Sequence, residues 1–388
     1  MRIALVSDAI YPWHTGGKEI RYHELTQGLL EAGHQVEVLT MNWWQDQPTG
    51  APESTPEGLR YRPISRKIPL YENGKRSMKE GLFFALACLR VLRVRADVVE
   101  ADHMPYLQLF PLWLVTKIRR LPLVVTWHEY WGLATWRAYI GRMGWIAALI
   151  ERVATKLPTH IVAVSPATAK ALEDAGVRPA RITVAENGVG AHAEPGPRVN
   201  LLAVGRLIAH KRFDTAIEAF AILNAEDPTL RLEIVGEGPE EENLRKLVAD
   251  LGLGHAVTFH GTLPEQEDLW RMLASAKALV APSEREGYGL AVAEALTLGT
   301  PAVVSDHPDN ASQDLVEIGR TGEIAAHGDQ VAFATAIRAA MVLDHDQVGA
   351  RFRETNPENG WKKMVETYES IYRRVTTKRP AGAARRAT

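Results

Sequence analysis

Two carboxylates flank a glycine turn within residues 282–306, PSEREGYGLAVAEALTLGTPAVVSD. Glu286 precedes the turn Gly287–Gly289, and Glu294 follows inside a predicted helix. A glycine turn that opens a helix presents unpaired backbone N–H groups and the positive end of the helix dipole, which together bind anions. Carboxylates are unusual beside a bare phosphate, but they accept hydrogen bonds from sugar hydroxyls. The pattern therefore favours a ligand whose phosphates lie between hydroxyl-bearing groups, as in a nucleotide-sugar.

Two cations follow a different predicted strand. In LLAVGRLIAHKRFD, the strand Leu201–Val204 is followed by Arg206 and Lys211, and a helix is predicted from Phe213. Cations at the carboxyl end of a strand can neutralise a diphosphate leaving group without a metal. Taken alone, the segment is also compatible with a solvated charged loop.

A second glycine turn, Gly16 and Gly17, lies between the first predicted strand and an amphipathic helix. Without side chains, these residues allow the backbone to approach a phosphate closely. The alternative for this pair alone is an ordinary tight turn. Ser165, which also follows a strand, is interpreted as a helix N-cap.

Short apolar strands alternate with helical segments along most of the chain, which predicts an α/β fold of parallel sheets covered by helices on both faces. The predicted helices include 17–33, 213–223 and 240–251. The predicted strands are 2–7, 35–40, 98–101, 123–126, 160–164, 182–184, 201–204, 230–235, 257–259, 278–281 and 302–305.

The length of 388 residues predicts two domains rather than one. The expected organisation is two doubly wound, Rossmann-like domains that share one cleft beyond the carboxyl ends of their strands. The N-terminal domain is predicted over 1–190 and the C-terminal domain over 200–355, joined by a Gly/Pro/Ala-rich linker at 191–199. An amphipathic helix at 356–376 and a disordered tail at 377–388 complete the prediction.

Composition excludes several classes of protein. Cys88 is the only cysteine, so no intramolecular disulfide is possible, which fits a reducing cytoplasm. No signal peptide and no apolar run long enough to span a membrane are recognised. Residues 1–199 carry 24 Lys and Arg against 19 Asp and Glu, whereas residues 200–388 carry 21 against 28. The excess of basic residues in the first half is too small to indicate nucleic-acid binding. It is compatible with binding to an anionic acceptor or to an anionic membrane surface.

Taken together, the motifs resemble the retaining GT-B glycosyltransferases of glycosyltransferase family 4. The resemblance runs over most of the chain, and the order and spacing of the motifs make it specific. They are the early Gly16 and Gly17, VVTWHE with His128, VSPATAKAL, ENGV, the GRL…K…D block at 205–214, VGEGPE, FHG and SEREGYGLAVAEALTLGTPAVVSD. One departure is the segment HPDNASQD, where the family often has a glycine pair.

The resemblance implies roles for individual residues. Arg206 and Lys211 would hold the donor diphosphate, Glu286 the transferred sugar and Glu294 the ribose. His128 would lie beside the sugar, although a buried structural histidine is the alternative. The implied catalytic residues are His128, Arg206, Lys211 and Glu286. The implied donor-binding residues are Gly16, Gly17, Arg206, Lys211, Gly236, Leu263, Glu286, Gly287, Tyr288, Gly289, Leu290 and Glu294.

The resemblance also implies transfer of a hexosyl group from a UDP- or GDP-linked sugar with retention at the anomeric carbon. No Asp or Glu is identified as a nucleophile, so the departing phosphate would deprotonate the acceptor hydroxyl. No cofactor and no metal are expected. Asp344, His345 and Asp346 spell the Asp-x-Asp pattern of metal-dependent transferases, but their late position indicates a surface turn.

The acceptor is expected on the N-terminal domain, where aromatic residues are concentrated and suit contact with sugar rings. It would be a glycan, a glycolipid or a small natural product. The predicted acceptor-binding residues follow strand ends: Trp13, His14, Lys18, Arg21, Asp102, His103, Tyr130 and Trp131. Residues 60–95 mix basic side chains with an apolar helix, which indicates either peripheral contact at the inner face of a membrane or a buried helix with charged ends.

Three other functions fit the sequence less well. A dinucleotide-binding oxidoreductase is excluded because Thr15, Gly16, Gly17 and Lys18 do not form the Gly-x-Gly-x-x-Gly turn after the first strand. A sugar-nucleotide epimerase of GT-B architecture is not expected to carry both the Arg/Lys and the paired Glu motifs. A noncatalytic nucleotide-sugar-binding protein is disfavoured because Arg206, Lys211, Glu286 and Glu294 are all present.

Overall fold

The structure is a computed structural model, and it describes residues 1–14, 16–45, 58–72, 75–356 and 360–377. The chain divides into two compact units. The first contains Met1–Gly188 together with the chain from Trp361 onward, and the second is Val189–Gly360. These divisions lie close to the predicted domain limits at 190 and 355. Of the predicted tail, residues 378–388 lie outside the described residues.

The first unit is built on a sheet of seven parallel strands in the order β3-β2-β1-β6-β7-β8-β9. The strands are β1 (Arg2–Val6), β2 (Gln35–Asn42), β3 (Leu59–Arg66), β4 (Tyr71–Glu72), β5 (Lys75–Arg76), β6 (Val98–Asp102), β7 (Leu123–Trp127), β8 (His160–Ala163) and β9 (Ile182–Val184). β4 and β5 pair separately and antiparallel. The helices are α1 (Gly17–Glu31), α2 (Met78–Ala87), α3 (Leu109–Arg119), α4 (Gly132–Ile140), α5 (Gly144–Ala154) and α6 (Pro166–Asp174).

The second unit is built on six parallel strands in the order β12-β11-β10-β13-β14-β15. Its strands are β10 (Asn200–Val204), β11 (Arg231–Val235), β12 (Val257–Gly261), β13 (Ala276–Ala281), β14 (Ala302–Ser305) and β15 (Gly322–Ala325). Its helices are α7 (Phe213–Glu226), α8 (Glu241–Asp250), α9 (Gln266–Ala274), α10 (Leu290–Thr297), α11 (Gln330–Met341) and α12 (His345–Thr355). The predicted class of two Rossmann-like α/β units is confirmed.

Each sheet has one point where the strand order reverses. In the first unit it lies between β1 and β6, and in the second between β10 and β13. Helices leave opposite faces of the sheet on either side of such a point, so a crevice opens beyond the carboxyl ends of the two strands. The fold therefore places a binding crevice beside Asp8 and Asp102 in the first unit. In the second unit it lies beside Arg206 and Glu286.

The final helix, α13 (Trp361–Thr377), belongs to the first unit. Its apolar face packs into the core of that unit, against α1. The buried residues of this face are Met364, Val365, Tyr368, Ile371 and Tyr372. Their helical spacing is the amphipathic pattern that the sequence displays. Within the described parts of the chain, no helix has the length and apolarity that crossing a membrane requires.

The predicted strands all occur, and no strand end shifts by more than two residues. The sequence did not predict β3, β15 or the two-residue strands β4 and β5. β3 and β15 lie at sheet edges, where a strand pairs with a neighbour on one side only. β3 carries Pro63 and three arginines, a composition tolerated only at an edge. β15 has only four residues, too few for a recognisable alternation.

Candidate functional site

Lys211 and Glu286 form an ion pair at the point where the strand order of the second unit reverses. Lys211 ends a short 3₁₀ turn after β10, and its ammonium contacts Oε1 of Glu286 in the loop after β13. Ser283 donates a second hydrogen bond to the same oxygen at 2.9 Å. Both charged side chains are about one-fifth exposed, at 21% and 18%. A ligand phosphate can therefore compete with Glu286 for Lys211, while Arg206 lies exposed on the same loop.

The loop that carries Glu286 is held by the segment HPDNASQD, whose role the sequence left open. The backbone N–H of Glu286 donates to Asp309 and its carbonyl accepts from Ala311. Asn310 is fully buried, donates to the carbonyl of Ser305 at 3.0 Å and accepts from the N–H of Ser312 at 3.1 Å. The backbone hydrogen bonds of this segment therefore fix the position of Glu286.

The turn before α10 requires glycine at Gly289. This residue has φ of +94°, and a Cβ built there would lie 2.4 Å from the Cβ of Ser312. Among the described residues, no side chain caps the N-terminus of α10. Its first N–H groups and the positive end of the helix dipole lie where the sequence predicts an anion site. Gly287 and Leu290 flank the turn half-buried, and Tyr288 is buried in it.

Glu294 lies one turn inside α10 and is only 6% exposed. The indole N–H of Trp270 and the amide of Gln266, both on α9, donate to its Oε1 at 3.0 and 3.1 Å. Burial raises the pKa of Glu294 to about 7, although the two hydrogen bonds oppose this shift. The second carboxylate oxygen is not used by these two donors, so it can accept a hydroxyl when the group is ionised.

Two further predicted donor-binding residues lie on the same edge of the sheet. Gly236 follows β11, and its N–H donates to the carbonyl of Gly261 at the end of β12. Leu263 follows β12 and is half-buried. β11 pairs with β10 and β12 pairs with β11, so both residues lie on the Lys211 side of the reversal point.

His210 is a neighbour of Lys211 that the sequence analysis did not single out. Burial, followed by the charges of Lys211 and Arg285, lowers the pKa of His210 to about 4. Its carbonyl accepts the N–H of Glu284, which ties the β10 loop to the β13 loop. A neutral imidazole therefore lies among the cations of this loop at neutral pH.

In the first unit, Lys18 joins two buried carboxylates at the reversal point. Its ammonium lies 2.7 Å from Oδ1 of Asp8, which follows β1, and 2.9 Å from Oδ2 of Asp102, which ends β6. Arg76 of β5 forms an ion pair with Asp8 and lies 3.5 Å from Glu80. Lys18 is 15% exposed, whereas both Asp side chains are fully buried. Lys18 and Asp102 were predicted to bind the acceptor, and Asp8 and Arg76 were not recognised.

Asp102 also organises two histidines. His103 Nδ1 lies 3.0 Å from Oδ1 of Asp102, and His128 Nε2 lies 3.8 Å from the same oxygen. Burial raises the pKa of Asp102, but Lys18 and the His103 hydrogen bond outweigh it and hold this pKa well below its usual range. Burial lowers the pKa of His128 to about 3, and the charge of Asp102 only partly offsets the effect. His128 is thus neutral at physiological pH, with 17% of its side chain exposed.

Arg21 lies apart from this cluster, although it was predicted to bind the acceptor. Its side chain is fully buried and donates to Asn187 Oδ1 at 2.6 Å, to the carbonyl of Ala185 at 2.7 Å and to the hydroxyl of Tyr368 at 3.1 Å. A buried guanidinium with these partners ties α1 to α13 and to the segment that leaves the unit at Gly188. This position gives no support to an acceptor contact.

The remaining predicted acceptor residues are half-buried aromatics. Trp13 packs against Trp44 with ring centroids 5.6 Å apart, and His14 packs edge-on against Trp43 at 4.5 Å. Tyr130 and Trp131 lie in the segment between β7 and α4. Gly16 and Gly17 begin α1, where no described side chain caps the helix. Of the predicted residues of the first unit, the ion pairs and contacts of Asp102 bring Lys18, His103 and His128 into one cluster.

Within the described ranges, no group of three or more His, Cys, Asp and Glu side chains is arranged to hold a metal ion. Asp344 accepts the N–H groups of Asp346 and Gln347 at 3.0 and 3.2 Å and so caps α12. The Asp-x-Asp pattern is therefore a helix start in this fold.

The amino-acid sequence matches two family models, one in the N-terminal half of the chain and one in the C-terminal half. "Glycosyltransferase Family 4" matches residues 15–192, and "Glycosyl transferases group 1" matches residues 187–357. Glycogen synthase of Mycobacterium tuberculosis is 30% identical over 370 residues, which cover 88% of this chain and 86% of that protein. The chain is a GT-B glycosyltransferase. The resemblance to GT-B glycosyltransferases predicted from the motifs is confirmed.

Solved structures agree on the fold of this glycosyltransferase. Sucrose-phosphate synthase from Thermosynechococcus elongatus superposes with a TM-score of 0.79 at 20% identity, covering 97% of this chain and 99% of that one. HepE of Anabaena, in complex with UDP-glucose, gives a TM-score of 0.72 at 16% identity, covering 96% and 100%. At these identities the likeness shows the fold.

Proposed function

We propose that this glycosyltransferase moves a hexosyl group from a UDP- or GDP-linked sugar to a hydroxyl of a glycan, glycolipid or small natural product. The transfer would retain the anomeric configuration, as in glycosyltransferase family 4, and would need no metal. The observation that carries the proposal is the Lys211–Glu286 ion pair beside the uncapped start of α10. It combines a cation, a carboxylate that can accept hydrogen bonds from hydroxyls, and a helix N-terminus at the carboxyl ends of the strands.

The donor would exchange partners with this ion pair. The diphosphate would accept hydrogen bonds from Lys211 and Arg206 and from the first N–H groups of α10. Once Lys211 contacts phosphate, the carboxylate of Glu286 can accept hydroxyls of the hexose. Glu294, fixed by Trp270 and Gln266, would accept the ribose hydroxyls through its second oxygen. The UDP-glucose bound by HepE has this combination of groups.

The chemical step would break the bond between the anomeric carbon and the phosphate oxygen. The acceptor hydroxyl attacks the same face and passes its proton to the departing phosphate, whose developing charge Arg206 and Lys211 stabilise. The phosphate, and not His128, would accept the proton, because an imidazole with a pKa of about 3 is a poor proton acceptor at neutral pH. His128 would instead bind a hydroxyl of the transferred sugar.

Release of the sugar to water tests retention without knowledge of the acceptor. With UDP-glucose or GDP-mannose as donor, ¹H NMR would record which anomer of the free hexose appears before mutarotation. The proposal expects the anomer present in the donor to appear first, with EDTA in the buffer. Initial release of the opposite anomer, or release that depends strictly on Mn²⁺ or Mg²⁺, would contradict it.

A peripheral membrane contact is proposed for the surface formed by α2 and the following 3₁₀ turn. Met78, Leu82, Phe83 and Leu86 are 82%, 53%, 50% and 58% exposed on α2. Exposed basic residues accompany them: Lys79, Arg90, Arg93 and Arg95. Apolar side chains that insert below the headgroups, flanked by cations that meet anionic lipids, are the chemistry of an interfacial helix.

Sedimentation with anionic liposomes tests this contact. The variant Phe83→Ser with Leu86→Ser should lose co-sedimentation with phosphatidylglycerol vesicles, while Leu251→Ser, an exposed leucine of the second unit, should keep it. Equal sedimentation of all three proteins with and without vesicles would remove the proposal.

A further inference from the structure

A single carboxylate, Glu151 of α5, accepts hydrogen bonds from four donors, two that lie between β6 and α4 and two within α4. Its Oε1 accepts from the hydroxyl of Tyr106 at 2.7 Å and from the N–H of Trp131 at 2.8 Å. Its Oε2 accepts from the N–H of Gly132 at 2.8 Å and from the indole N–H of Trp136 at 3.0 Å. Glu151 is fully buried, so these four bonds replace its hydration.

The carboxylate lies where α4 begins, which explains why it is stable there. Trp131 is the N-cap and Gly132 the first residue of α4, so their N–H groups belong to the unpaired positive end of the helix. α5 approaches α4 closely at Gly144, because a Cβ there would lie 2.5 Å from the carbonyl oxygen of Trp136. Both features fix α4 rigidly against α5.

The helix that is fixed in this way has no buried residue, yet it carries aromatic side chains. Trp131 and Trp136 lie with ring centroids 4.6 Å apart, and Tyr139 packs edge-on against Trp131 at 5.2 Å. All three side chains are half-buried, and exposed Arg137 lies beside them on the same helix. Half-exposed aromatic rings that are held rigidly, with polar groups at their rim, suit the apolar face and the hydroxyls of a sugar ring.

We propose that Trp131, Trp136 and Tyr139 form a subsite for a hexopyranose ring of the acceptor, and that Glu151 is the residue that positions it. The segment is continuous with the site described above, because Trp131 follows His128 by three positions after β7. The inference rests on the proposed function, since it assigns a place and a chemical class, a glycan, to the acceptor. Glu151 touches no substrate and acts through the aromatic rings.

Saturation-transfer NMR with methyl α- and β-hexopyranosides and maltotriose, in the presence of UDP, tests the subsite. Trp136→Ala should raise the Kd for the bound glycoside about tenfold, the upper value for loss of one aromatic contact. Trp136→Phe, which keeps a ring but lacks the N–H, should weaken binding less. Trp145→Ala on α5, where the indole is 54% exposed, is the matched control and should bind as the wild type does.

The positioning role of Glu151 has its own test. In Glu151→Gln an amide nitrogen replaces one oxygen and cannot accept from the donors that meet there, so the Kd for glycosides should rise while the KM for the nucleotide-sugar does not. Glu151→Asp keeps two acceptor oxygens and should restore part of the affinity. A rise in both constants together would indicate a general structural role and overturn the assignment.

The outcomes separate this inference from the proposed function. If the wild type binds no nucleotide-sugar in a thermal-shift assay, the proposed function fails. If it binds a donor, but no glycoside gives a signal or Trp136→Ala binds glycosides as well as the wild type, only the subsite fails.

Discussion

The ammonium of Lys211 pairs with the carboxylate of Glu286, which lies 75 positions later in the chain. The pair forms because β10 and β13 are neighbours in the sheet, so the loops at their carboxyl ends meet. In the ligand-free protein each charge is compensated by the other. A diphosphate that binds Lys211 would release Glu286 to accept sugar hydroxyls, which couples recognition of the two parts of the donor.

Replacement of Lys211 by Ala should lower kcat/KM about a hundredfold, the effect of removing one group that stabilises charge in the transition state. Initial rates of donor hydrolysis or transfer would measure it. Lys246→Ala on α8, an exposed lysine outside the site, is the control and should leave the rate unchanged. Near-normal turnover of a folded Lys211→Ala protein would refute the assignment.

Donor affinity should depend on pH through Glu294, whose pKa burial raises to about 7. Below this pH the carboxyl is protonated and accepts hydrogen bonds less strongly than the carboxylate does, so the Kd for the donor should rise as the pH falls, by at most about tenfold per unit. Isothermal titration between pH 5.5 and 8 would measure the slope. Glu294→Gln should bind more weakly at pH 8 and show no such slope. A slope that persists in this variant would assign the titration to another group.

His128 should remain neutral across the physiological range, because burial lowers its pKa to about 3. Its imidazole resonances, assigned by their absence in His128→Gln, should not titrate between pH 5 and 8 in NMR spectra. The pH profile of kcat should accordingly lack an inflection from this residue. A titration near the ordinary histidine value would mean that His128 is solvated and able to exchange protons.

The residues that we propose bind the donor could be identified from the sequence because their motifs are local. Each combines a strand, a turn and a helix start within about twenty residues, so Arg206, Lys211, Glu286 and Glu294 can be recognised without the fold. The partners of these residues could not be predicted in the same way. Trp270 and Gln266 reach Glu294 from α9, and Asn310 supports Glu286 from a segment that departs from the family pattern.

The cluster around Lys18 and Asp102 was less predictable because it depends on long-range contacts. Asp8 forms ion pairs with Lys18 and Arg76, and the three residues come from three separate segments of the chain. Arg21 lies about one helical turn after Lys18 on α1, but its side chain is directed inward to Tyr368. Glu151 lies inside an apolar helix without any motif, and only the packing of α4 against α5 shows which donors reach its carboxylate.

The buried Arg21 is expected to stabilise the first unit. Arg21→Ala would leave Asn187 Oδ1 and the carbonyl of Ala185 without their donor, at a cost of about 3 kcal/mol in the free energy of unfolding. Urea unfolding and hydrogen exchange in α13 would detect the change. Arg178→Ala, an exposed arginine of the same unit, is the control. Unaltered exchange in α13 would show that Arg21 does not hold this helix.

Asp344 should matter for stability and not for activity. Asp344→Ala removes the cap of α12 and should cost about 1 kcal/mol in the free energy of unfolding. Turnover at permissive temperature should equal that of the wild type, with or without EDTA. Loss of turnover that added Mn²⁺ restores would place a metal at this turn.

Binding of nucleotide-sugars tests the central claim most directly. Thermal shift against UDP-, GDP-, ADP- and dTDP-sugars, with NAD(H) as a control and EDTA present, would compare the wild type with Glu294→Ala. The account predicts a shift of several degrees with one UDP- or GDP-linked sugar, and loss of that shift in the variant. No shift with any nucleotide-sugar, or a shift with NAD(H) alone, would contradict it.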